Sequence, residues 1–197
     1  MSTRPARPKH PSGPPAGSIH TRAGGIGRAS SPGAEAVSDA LRRGGSPFLT
    51  GRRRVAGLTL GAMGSLGVVA AYQFGLLRHL PEPPGRWFDA DSVDASGEAY
   101  SGLKTPDAAL GLLSFAATLV LAGARADRHP SQRKLLSLAL GVKVVADAAG
   151  GLLLTVEQAT KHRKFCSWCL ATTAFSVATV PQVVPEMRAA WRGLRAR

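Results

Sequence analysis

Residues 55–77 read VAGLTLGAMGSLGVVAAYQFGLL, 23 positions without one charged side chain. A helix needs about 20 apolar residues to cross the hydrocarbon core of a bilayer. This stretch is therefore expected to span, and three more of similar kind follow it. They are Ala108–Ala124, Leu135–Val156, which carries Lys143 and Asp147, and Phe165–Val184. Lys143 and Asp147 stand four apart, on one helix face, and can pair. Charges inside a span are costly, so the pair is either a packing contact within a bundle or a proton relay.

The flanks of these runs are of another composition. Residues 1–54 hold seven of the 14 prolines and +8 of the +13 net charge. Such a segment has too little apolar surface to offset chain entropy. The expected fold is an all-α integral membrane four-helix bundle over residues 55–185. It follows a disordered basic tail, 1–54, and a basic C-terminus, 186–197, closes the chain. The three arginines at 52–54 ahead of an apolar run also suit an export signal, but further spans follow and no clean small-x-small site appears. The tail's basic residues have no aromatic partners before Phe48, and no nucleic-acid-binding motif follows, so nucleic acid is not an expected partner. Membrane lipid is.

Lys and Arg near the membrane set orientation. With the N-terminus inside, the inner segments hold 13 of them and the outer segments 6. Both termini are then cytoplasmic, with loops 78–105 and 157–164 on the far side. The first of these loops carries a net −2 and has room for a short amphipathic helix around Ser92–Leu103.

The chain has two cysteines, in Cys166-Ser167-Trp168-Cys169 at the head of the fourth run. A spacing of three puts both thiols on one helix face, about 5–6 Å apart between Cβ atoms. That is close enough for a disulfide after small adjustment. The helix N-terminus and Lys161, Arg163 and Lys164 favour a thiolate there, which suits thiol–disulfide exchange. Two buried structural cysteines are the alternative. Covalent haem attachment is excluded, since Leu170 stands where histidine is required. No metal site is expected, because the five histidines are scattered and two thiolates lack further ligands.

Two segments resemble the vitamin K epoxide reductase family in its bacterial branch. One is Val93-x-x-Ser96-x-x-Ala99-Tyr100-x-x-Leu103-x-x-Pro106-Asp107-x-x-Leu110-Gly111; the other is Cys166-x-x-Cys169-Leu170. The resemblance covers about residues 55–185. It implies a four-helix bundle around a quinone, ubiquinone or menaquinone, in the bacterial inner membrane. It implies a quinone-dependent thiol–disulfide oxidoreductase that oxidises a periplasmic thioredoxin-like protein. Cys166 and Cys169 are then the catalytic pair, with Cys169 one turn deeper and facing the quinone, and Cys166 more accessible. Ser96, Tyr100, Trp168 and Thr173 are the candidate quinone-binding residues. Three of them have a plainer reading: Ser96 as a cap, Trp168 as an interfacial anchor, and Thr173, like Thr172, as bonded to its own helix.

The sequence departs from the family in one place. Most members carry a second cysteine pair in the first outer loop, and here that loop reads Trp87-Phe88-Asp89-Ala90-Asp91-Ser92. A relay through loop thiols is impossible. Either a partner reaches Cys166 directly, or the chain is a degenerate member acting as a membrane anchor or scaffold.

Overall fold

A computed structural model of the chain describes residues 32–45, 47–100, 103–124 and 130–196. The chain divides into two units, Met1–Asp39 and Ala40–Arg197. Every regular element among the described residues is helical: α1 Pro32–Arg43, α2 Leu49–Gln73, α3 Ala90–Asp94, α4 Asp107–Gly123, α5 Pro130–Glu157 and α6 Ser167–Arg195. A 3-10 turn, Gly97–Tyr100, follows α3, and a π turn, Gln158–His162, follows α5.

The expected coil over 1–54 gives way in its described part to helix. In α1, Pro32 takes a first-turn position that lacks nothing by having no N–H, and Arg42 and Arg43 sit where the helix dipole is negative. Helix α2 begins at Leu49 rather than Val55, so the three arginines belong to it. Arg52 ends the first turn, where a positive charge opposes the dipole. Arg52 is held by other means: it pairs with Glu186 at 2.6 Å and donates to the carbonyls of Ala122 (3.4 Å) and Ala124 (2.9 Å) at the end of α4. Helix α2 stops at Gln73, four residues early. Gly75 takes a left-handed conformation (φ 76°), and the Leu76 and Leu77 N–H groups fold back to Ala71 O.

Three helices are long and apolar enough to cross a membrane: Leu49–Gln73, Arg133–His162 and Ser167–Arg195. The expected second span, α4, is apolar but has 17 residues, the lower limit for a crossing. Leu60, Leu113, Val120, Val142 and Leu153 point outward and exposed, as lipid-facing side chains do. The molecule is a helical membrane bundle.

Helix α6 packs chiefly on α5 and α2, and α2 also packs on α4. Helix α6 does not end at Val184 but runs to Arg195 through Pro181 and Pro185. Its buried face continues past the prolines, with Val183, Glu186 and Ala190 inside, which explains why the expected separate C-terminal segment is helical. Small residues let the helices approach closely. A Cβ on Gly151 of α5 would stand 2.9 Å from Thr173 Oγ1 of α6.

Two apolar clusters fill the bundle. One holds Val69, Ala70, Leu80, Ala90, Val93, Ala108 and Cys166; the other holds Val55, Ala122, Leu140, Val144 and Val183. The first joins the loop after α2 to the head of α6 and so carries the cysteines.

Candidate functional site

The turn after α5 decides where the cysteines sit. Arg163 takes a left-handed conformation (φ 52°), and the chain then runs beside the loop after α2. Phe165 and Phe88 form a short parallel bridge, with Phe165 N–H donating to Trp87 O (2.9 Å) and Asp89 N–H to Phe165 O (3.1 Å). Lys164 Nζ donates to Arg86 O (2.9 Å) and Trp168 Nε1 to Pro81 O (2.7 Å). The loop is therefore strapped across the head of α6.

Cys166 is the N-cap of that helix. Its Sγ accepts the Cys169 N–H at 3.2 Å, and Glu82 Oε1 accepts the Ser167 N–H at 2.8 Å. These acceptors satisfy N–H groups that a helix start leaves open. The Cys166 N–H in turn donates to Gln158 Oε1 (3.0 Å). Cys166 is 0% exposed. The expectation that Cys166 is the accessible thiol is thus reversed: the loop covers it, and Cys169 opens on a cavity. Both thiols are free.

That cavity has a volume of about 300 Å³. Leu66, Val69, Val93 and Phe115 line it with apolar surface, and Ser96, Cys169, Thr172 and Thr173 add polar atoms. Of the candidate quinone-binding residues, Ser96 and Thr173 reach its wall. Tyr100 and Trp168 do not. The Tyr100 hydroxyl is drawn to Gln73 O (3.2 Å), and the Trp168 ring is tied to Pro81 on the loop side. Thr172 and Thr173 also bond back to their own helix, to Trp168 O and Cys169 O, both at 3.0 Å. Asp147 lies on the far part of the wall. It pairs with Lys143 and accepts from Ser114 Oγ (2.8 Å) and Thr118 Oγ1 (2.7 Å).

The residue that sequence reasoning missed is Asp94. It is 3% exposed, and its Oδ1 lies 3.4 Å from Cys169 Sγ. Its Oδ2 has no hydrogen-bond partner among the described residues. One carboxylate oxygen of Asp94 and the two Sγ atoms all lie within 4.8 Å of one another. Three donors fall short of the four of a structural zinc site. Burial pushes the Asp94 carboxyl up to about 6, the negative charges of Asp107 and Glu82 add to this, and hydrogen bonding to the two thiols pulls the other way.

Local structure holds Asp94 there. Asp89 caps α3 by accepting the Ser92 N–H, and Gln73 Nε2 donates to the Asp94 carbonyl (3.3 Å). Gln73 also donates to Asp107 Oδ1 (2.7 Å) and accepts the Ala108 N–H (3.2 Å). One buried amide thus fixes α3 and the start of α4 on α2. The expected helix over Ser92–Leu103 is broken into α3 and a 3-10 turn, and that break lets Asp94 turn inward while Ser96 lies by the cavity. In the sequence Asp94 counted only as one of five loop acids, since nothing local separates an inward acid from a solvated one.

Residues 54–184 match the model of the vitamin K epoxide reductase family. No curated protein and no solved structure matches the chain.

Proposed function

The chain belongs to the vitamin K epoxide reductase family, and from that premise we propose that it is a quinone-dependent thiol–disulfide oxidoreductase of a bacterial inner membrane. Electrons pass from a partner's thiols through Cys166 and Cys169 to the quinone. One observation carries this reading: a free dithiol heads a membrane helix, and Cys169 opens directly on a largely apolar cavity among the helices. Apolar walls suit a quinone ring, and the presence of Ser96 and Thr173 on the wall supports a role for their hydroxyls in orienting it. Ubiquinone and menaquinone both meet this description. When bound, the quinone supplies a two-electron, two-proton acceptor.

The chain's own residues do the rest. The helix start and Glu82 fix Cys166 beside Cys169. The small residue Gly151 lets α5 close against Thr173 on the cavity wall. The strapped loop excludes water from Cys166, so exchange with a thioredoxin-like partner begins with displacement of that loop. The distribution of Lys and Arg supports cytoplasmic termini and a periplasmic dithiol.

A second reading is a non-enzymatic anchor or scaffold, favoured by the missing loop cysteines and the full burial of Cys166. The two separate in one assay. Purified protein in detergent, given a dithiol donor and a soluble quinone, should form quinol, and Cys169→Ser should abolish it. Equal, background-level quinol formation by both proteins would support the scaffold.

A further inference from the structure

The oxidation of two thiols releases two protons, and Cys166, at 0% exposed, cannot hand its own to bulk water directly. Asp94 is the carboxylate the fold places against Cys169, with Oδ1 at 3.4 Å from its Sγ and Oδ2 without a hydrogen-bond partner among the described residues. A buried carboxylate oxygen left unpaired is costly. The fold nevertheless holds it in position through the α3 cap and Gln73. We propose that Asp94 is the proton acceptor for Cys169 when the Cys166–Cys169 pair is oxidised.

This rests on the oxidoreductase reading above and names a residue that reading does not need. In the step, the S–S bond forms and both S–H bonds break. Two electrons pass to the two-electron oxidant, a quinone on that reading. Both thiol protons end on the reduced acceptor, which becomes the quinol, and the Cys169 proton travels by way of Asp94. Asp94 ends as it began, a carboxylate. The carboxylate form persists above pH of about 6, where the group is ready to accept. The other titratable groups facing it are Glu82 on the strapped loop, Asp107 at the start of α4, Tyr72 on α2, and Cys166 and Cys169 on α6; His162 of the π turn lies on the same cavity. Glu82 and Asp107 share its sign and oppose its ionisation, which keeps it close to the working pH of a general base.

The test compares full-length protein with Asp94→Asn, which keeps the shape and loses the basic oxygen. Oxidation of the reduced pair is followed at pH 7.5 and at pH 5, once with a soluble quinone and once with diamide. Alkylation of Cys169 by a small maleimide is measured alongside. At pH 7.5 the variant should be slower by about 10²-fold or more. At pH 5, where Asp94 is already protonated in the native protein, the ratio should shrink toward one. Alkylation at pH 9, where hydroxide can take the thiol proton, should be undiminished, since Asn places no obstacle before the thiol.

Equal rates at both pH values would overturn the proposal. So would a slowing that does not depend on pH, or one matched by lost alkylation, since both describe a merely structural residue. If the native protein ignores quinone yet shows the expected pH-dependent ratio with diamide, the quinone reading falls and the role of Asp94 stands. Should Asp94→Asn fail to fold, Asp94→Ser, which is smaller and also uncharged, takes its place under the same criteria.

Discussion

Two buried carboxylates lie at opposite ends of the bundle, and they are treated differently. Glu186, near the far end of α6, is 8% exposed and fully partnered. Arg52 reaches it through Nη2 at 2.6 Å and Nε at 3.0–3.1 Å, and Ser137 Oγ donates at 2.6 Å. Asp94, at the cysteine end, is 3% exposed and meets the two thiols, with one oxygen unpaired among the described residues. Both ends bury a charge; one satisfies it and the other does not. A satisfied buried charge locks helices together. An unsatisfied one is a standing cost that the fold tolerates where a reaction needs it.

The sharpest way to break this contrast is to unpair Glu186. Arg52→Ala should destabilise the bundle by about 3–5 kcal/mol, because a lone charge is left buried. Replacing both partners, Arg52→Met with Glu186→Leu, should recover most of that loss. Unfolding in mixed micelles reads both. A small loss for Arg52→Ala alone would mean that the two ends do not differ.

At the cysteine end the sign should invert. Folding raises the Asp94 carboxyl from 3.8 to about 6, so the folded state holds its proton more tightly than the unfolded chain does. The cost of its charge is absent below pH 3.8, grows as pH rises toward 6, and is complete above it. That gap corresponds to roughly 3 kcal/mol. Asp94→Asn should therefore stabilise the protein at pH 8 by up to that amount and leave stability unchanged near pH 3.5. A pH-independent effect in the same unfolding assay would remove the charge from the explanation.

A smaller effect is expected between α5 and α6. Gly151→Val should cost about 1–3 kcal/mol, since its Cβ meets Thr173 at 2.9 Å, and it should weaken quinone binding as the cavity wall shifts. A quinone-titration curve identical to that of the native protein would place the quinone elsewhere. The smallest effect concerns access: a maleimide should reach Cys169 faster than Cys166, and Phe88→Ala, which loosens the strapped loop, should narrow that difference. Faster labelling of Cys166 in the native protein would contradict the cover.

The contrast also explains what the sequence disclosed. The apolar runs, the dithiol and the family resemblance were readable, because each depends on composition or short spacing. Lys143 and Asp147, four apart on one helix, pair as that spacing suggests. The partnership of Arg52 with Glu186 was not readable, since 134 positions separate them. The three arginines therefore read as tail, although one of them is a half-buried strut of α2. Asp94 was hidden for a related reason. Its inward turn depends on the Asp89 cap and on Gln73 from another helix, and no local pattern encodes that contact. The order of thiol exposure failed likewise, because helix position alone ignores the loop lying across Cys166.

The central claim is that the dithiol itself delivers electrons to a quinone, and thiol stoichiometry tests it most directly. Protein with both cysteines reduced is mixed anaerobically with a soluble quinone, with no other donor present. Quinol formed and thiols lost are counted in the same sample. The account predicts one quinol for each pair of thiols lost, with a Cys166–Cys169 disulfide found in the product by mass spectrometry. Quinol formed without loss of thiols, or no quinol from fully reduced and folded protein, would contradict it.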